Sequence, residues 1–321
     1  MTEATPDQIG PPLQHLTKRR FHGAPFQHVA VPDPVSTLMP QLSKRHFGYF
    51  WAALASGFAG LVALTDVAVT IHTHIVETVF IILGSLFVPV LYVYYMDLRS
   101  LFVDPRFRTL LATFAMGALI AAPLAAVLES VLPAGTGAPL PAFVTGLIEE
   151  FCKAAALFWL LFKRHRFLRF EMDGIILGAA AGMGFAAFED MIYGAGSFNH
   201  GLHDVVFTVW LRQLLGPFGH GTWTAIVGGA IWRAKGAGHV RITLGVVGAY
   251  LTAAVLHALW DWAPLPGLFD LLWLLGVGIA GLLILRTMIH QAIDQEKETI
   301  AGAGLQIGGT PPAAVTETPT P

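Results

Sequence analysis

The 321-residue chain is 55% hydrophobic and only 12% charged, with a formal net charge of −2 and a mean hydropathy of +0.62. Soluble domains carry about 25% charged residues, so water is not its main solvent. A near-neutral chain with no lysine-rich or aromatic-interleaved basic patch excludes nucleic-acid binding, which needs dense positive charge. The single cysteine, Cys152, excludes both an intrachain disulfide framework and a cysteine-built metal site.

Residues 1–45 are punctuated by proline, carry Lys18, Arg19 and Arg20, and lack the apolar core of a signal peptide. They are expected to form a disordered cytoplasmic arm. Apolar runs suited to a hydrocarbon core of about 30 Å, or about 20 residues each, follow at 48–70, 75–96, 109–132, 140–162, 173–194, 217–233, 242–262 and 267–289. Residues 46–290 therefore predict an all-α, polytopic transmembrane helical bundle of about eight spans. A short polar helix and a disordered, Gly/Pro/Thr-rich tail are expected over 291–321.

Orientation follows from the excess of Lys and Arg on the cytoplasmic side. With the N-terminus inside, Lys44, Arg45, Arg99, Arg106, Arg108, Lys163, Arg164, Arg166, Arg169, Arg233, Lys235, Arg241, Arg286 and Lys297 all face the cytoplasm, as does the C-terminus. The connections then placed outside carry no Lys or Arg, and only Lys153 and Arg212 break the pattern. The chain is expected to be a multi-pass protein of the cell (inner) membrane, in contact with membrane lipid. The 205–215 stretch is too short to cross and reads as an interfacial or re-entrant helix, with Pro217 opening the sixth span.

Charged side chains are costly at mid-bilayer, about 2.5–3.5 kcal/mol each, and such residues mark function. Glu149, Glu150 and Lys153 fall in the fourth span, Glu189 and Asp190 in the fifth, His220 in the sixth, His257 and Asp261 in the seventh. Helical spacing orients them. Gly174, Gly178, Gly182, Phe185 and Glu189 form one stripe of small residues ending in a carboxylate, the pattern that lets helices approach closely. Tyr250, Ala254, His257 and Asp261 share a face, as do Gly216, His220, Thr224 and Gly228, and Gly146, Glu150, Lys153 and Ala154. At 1.5 Å per residue the carboxylates and histidines all fall in the outer half of the membrane, which predicts one shared site. Asp190 reads as interfacial and Cys152 as a small core residue turned away from Glu150.

Glu149-Glu150-x-x-Lys153, Phe185-x-x-x-Glu189, a single His220 early in its span and His257-x-x-x-Asp261 occur in this order, one motif to a span. Together with Pro89 to Asp97 and Asp104-Pro105, the series resembles the PrsW family of intramembrane proteases, itself distantly similar to the CAAX-prenyl-protease and bacteriocin-immunity group. The likeness covers about residues 75–262. It implies an endopeptidase that cuts a single-span, anti-sigma-factor-like membrane protein near the outer face. Two carboxylates side by side in a low dielectric do not both ionise cheaply, so Glu149 and Glu150 suit water activation. His220 and His257 are then expected to stabilise the oxyanion, with Glu189 and Asp261 orienting them and Lys153 and Phe185 in support. A metal-free glutamate enzyme and a zinc enzyme holding the ion on Glu189, His220 and His257 both stay open. The alternative from another class is a proton- or metal-ion-coupled transporter, but no internal repeat with matching broken helices supports it.

Overall fold

The computed structural model describes residues 47–71, 73–101, 107–164, 170–235, 241–265 and 267–302. The expected disordered arm and tail lie outside these residues. The described chain is helical throughout, and six of its segments are long and apolar enough to cross a membrane. It is an all-α multi-pass membrane protein.

Helices α1 (Phe47–Ile71) and α2 (His74–Asp97) follow the first two expected spans. Thr73 caps α2 by accepting from the Val76 N–H, one of the donors that a helix start leaves unpaired. The third span is not one regular helix. It is α3 (Phe107–Met116), a π-helical turn (Gly117–Ala121) and α4 (Ala122–Glu129) in continuous succession. Pro123 follows the wide turn and has no N–H to return to the preceding carbonyls, and widened turns of this kind take up such a lost bond. Gly117 sits in the turn directly against the Ala181 carbonyl, where a side chain would collide.

Helix α5 (Pro139–Arg164) runs 26 residues and carries Glu149, Glu150 and Lys153. It falls outside the six strongly apolar segments because of those charges. Helix α6 (Glu171–Gly196) is the centre of the fold, with nearly every residue from Glu171 to Ala187 buried. Such a helix is apolar on all sides because it has neighbours on all sides. Its glycine stripe meets α8 (His220–Arg233) as the spacing predicts: Gly174 touches the Gly228 carbonyl, Gly178 that of Thr224 and Gly182 that of His220. Large apolar side chains pack between these helices in one core, Leu157, Ile175, Ile176, Trp223, Ile226 and Ile231 among them.

Between α6 and α8 lies α7 (Leu202–Leu215), the short helix expected over 205–215. Pro217 does not open the next span. It sits in a 3-10 turn, Gly216–Phe218, and α8 begins at His220 itself. Helix α9 (Leu244–Trp262) is capped by Thr243, and α10 (Leu268–Gly302) joins the last expected span and the polar segment after it into one rod of 35 residues.

Candidate active site

Four helices contribute to one buried polar centre. Close approach makes it possible: Gly146 on α5 lies against the Ala254 carbonyl and His257 Cβ of α9, as Gly182 on α6 lies against His220. Without side chains at these two glycines, the polar groups one turn on in α5 and two turns on in α6 reach partners across the helix interfaces.

Lys153 stands in the middle. Its side chain is wholly buried, and Nζ donates to Glu149 Oε2 at 3.1 Å and Glu150 Oε1 at 2.9 Å, while His220 Nδ1 lies 2.9 Å away. The three ammonium protons thus have three acceptors. The Phe185 ring lies 4.0 Å below the ammonium, centroid to Nζ, so its electron-rich face adds a fourth contact. A buried pair of carboxylates would be prohibitive unpaired; one shared cation and its hydrogen bonds make it tolerable.

The two carboxylates differ in surroundings. Both oxygens of Glu150 are held, one by Lys153 and the other by Thr224 Oγ1 at 3.2 Å, and the residue is fully buried. Glu149 uses one oxygen for everything: Oε2 faces Lys153, His220 Nδ1 at 3.7 Å and His257 Nε2 at 3.5 Å.

The histidines differ as well. His220 Nε2 lies 2.9 Å from Glu189 Oε2, an oxygen that also accepts from Arg212 Nη2 at 2.7 Å. A carboxylate accepts, so Nε2 carries the proton; an ammonium donates, so Nδ1 offers its lone pair to Lys153. Partners on both sides thereby assign His220 the neutral Nε2–H form. His257 is 2% exposed and lies between carboxylates, with Nδ1 3.4 Å from Glu150 Oε1 and Nε2 3.5 Å from both Glu149 Oε2 and Asp261 Oδ2. Its ring is 4.7 Å from that of Trp223 and 5.0 Å from that of His220, centroid to centroid.

Every residue expected at the site is therefore brought to it: Glu149, Glu150, Lys153, Phe185, Glu189, His220, His257 and Asp261. Three details differ from expectation. Asp190, expected to be only an interfacial residue, is 5% exposed and bound by Arg212 and Gln213 of α7. Second, the carboxylate that meets both histidines is Glu149 and not Glu189; donor atoms of Glu149, His220 and His257 lie within 4.8 Å of one another, whereas Glu189 turns to His220 and Arg212. Third, Arg212, Thr224 and Trp223 belong to the site. Thr224 was visible as part of the His220 stripe, but nothing in a linear pattern pairs Arg212 with a residue 23 positions away. Glu129, at the end of α4, is also near enough to Glu149, His257 and Glu189 to feel their charges.

Glu149, His220 and His257 are donors of the kind that catalytic zinc takes, three protein ligands with a further position open. As arranged they do not fit the ion. Lys153 Nζ already engages two of the three, Glu149 Oε2 and His220 Nδ1, and a second cation on those atoms would press against a buried ammonium.

A helical membrane protein with a buried glutamate pair, lysine and two histidines meeting across three helices has the architecture of an intramembrane hydrolase. Over residues 105–292 the chain matches the family described as PrsW family intramembrane metalloprotease. It is also similar to Protease PrsW of Halalkalibacterium halodurans, 32% identical over 152 residues that make up 46% of this chain and 66% of that protein. The chain belongs to the PrsW family. No solved structure matches it.

Proposed function

We propose that this protein is an intramembrane endopeptidase that cuts a membrane-tethered, single-span protein of the anti-sigma-factor kind, with Glu149 as the base that activates water. The observation that carries this reading is the asymmetry of the glutamate pair. Glu150 is spent on both oxygens, while among the described residues Glu149 binds only through Oε2. One carboxylate anchors the lysine and the other keeps an oxygen for chemistry.

The sequence of steps follows from the partners. Glu149 takes a proton from water as the oxygen attacks the peptide carbonyl carbon. Negative charge then develops on the carbonyl oxygen, and Lys153 with His257 supplies the positive and hydrogen-bonding groups that favour it in a water-poor site. His220 acts differently from the expectation of an oxyanion donor: its Nδ1 accepts, so it holds Lys153 in place. The proton on Glu149 passes to the leaving nitrogen as the C–N bond breaks, giving a carboxylic acid and an amine. No step is assigned to a metal. With the N-terminus in the cytoplasm, the centre lies in the outer half of the bilayer and the cut falls near the outer face.

The test is reconstitution with a panel of single-span proteins. Glu149→Gln is expected to lower cleavage by about 10²–10⁴-fold, the range for loss of a general base, with expression intact. Cleavage by the protein carrying Gln at both 149 and 150 would overturn the reading.

A further inference from the structure

We infer that Arg212 on α7 is a positioning residue for the centre: it fixes the Glu189 carboxylate that in turn holds His220 in its Nε2–H form. The inference rests on the proposed function for its kinetic consequence, but its geometry stands alone. Arg212 Nη2 and His220 Nε2 meet the same atom, Glu189 Oε2, at 2.7 and 2.9 Å. From there the contacts continue through His220 Nδ1 to Lys153 and the glutamate pair.

The guanidinium is suited to this place. Consecutive residues on a helix point about 100° apart, so Glu189 and Asp190 diverge, yet one planar fork reaches both, Nη2 to Glu189 and Nε to Asp190. Its flat face lies 4.2 Å from the Tyr193 ring, centroid to Cζ. The next residue completes the attachment: Gln213 Nε2 donates to Asp190 Oδ2 at 3.0 Å, and its Oε1 accepts from the Val88 N–H of α2 at 2.9 Å. Helix α7 is thus fastened to α6 and α2 at two successive residues, and only one of them touches the centre. A purely structural clamp would need Asp190 alone; the shared Glu189 oxygen is what links α7 to the histidine.

The experiment uses the full chain labelled with 15N-histidine in detergent, with His220 assigned by the signal missing in His220→Gln. The wild type is expected to show the neutral Nε2–H tautomer at His220. Arg212→Gln is expected to lose that signature and to lower kcat about 10-fold or more, as loss of an outer partner does, with KM little changed. Gln213→Leu, which loosens the same helix without touching Glu189, keeps the tautomer. Arg212→Lys recovers part of kcat, since one ammonium keeps the charge but not the fork, and it carries the test should the Gln variant not fold. A His220 signature unaffected by Arg212→Gln, or another protonation form in the wild type, overturns the inference. Absence of peptidase activity in the wild type would instead strike at the proposed function and leave the tautomer result standing.

Discussion

Lys153 Nζ lies 2.9 Å from His220 Nδ1 while bound to both members of the glutamate pair, so one buried ammonium joins the acidic and the imidazole halves of the centre. Removing one partner of a buried ionic cluster costs about 3–5 kcal/mol, because the remaining charges are left uncompensated. Lys153→Met is therefore expected to lose activity and a large part of its stability, read as thermal unfolding in detergent. Adding Glu149→Gln and Glu150→Gln to that variant is expected to restore most of the stability and none of the activity. If the triple variant is no more stable than Lys153→Met, the ammonium is not neutralising the pair.

The two supporting carboxylates should differ in weight. Glu189 lies at hydrogen-bond distance from His220, 2.9 Å, while Asp261 stands 3.5 Å from His257, beyond an ordinary hydrogen bond. Glu189→Gln is expected to lower kcat by roughly 10–100-fold and Asp261→Asn by less. Equal losses in a side-by-side cleavage assay would mean that His257 depends on its carboxylate as closely as His220 does.

The α6–α8 contact sets the geometry of the centre. A Cβ at Gly178 would collide with the Thr224 carbonyl, and overpacking of this kind costs about 1–3 kcal/mol. Gly178→Val should lower the unfolding temperature and, by displacing α8, activity too. Gly248 on α9 has open space around it, so Gly248→Ala serves as the comparison and is expected to leave both unchanged.

Chelation separates the two chemistries that donor types alone permit. Because Lys153 already sits on two of the three candidate ligands, exhaustive treatment with a zinc chelator is expected to leave cleavage unchanged. Stoichiometric zinc in the purified protein, absent from His220→Ala together with activity, would show that the lysine yields its place.

How much of this was legible in the sequence can be judged residue by residue. The glycine stripe on α6 and the His257–Asp261 turn could be read because both are properties of one helix, and helical periodicity makes a face visible without knowing its neighbour. Partnerships across helices were not visible in that way. Glu189 is the companion that the sequence reading gives the two histidines, where the structure puts Glu149, and the choice depends on interhelical distances that no spacing encodes. Asp190 looked interfacial because its position along the chain said nothing of α7, which folds back to bury it. The start of α8 was missed by three residues, since Pro217 fits a helix N-terminus and a 3-10 turn equally well.

Helix α8 has 14 residues, about 21 Å at 1.5 Å per residue, against a hydrocarbon core of about 30 Å. Eleven of those residues are buried among other helices, so lipid does not meet the shortfall: the Gly216–Phe218 turn and α7 continue the chain beyond His220. What ends early is a helix inside the protein, and its first turn, with the partial positive charge of a helix N-terminus, falls beside the two carboxylates that His220 meets, Glu189 and Glu149.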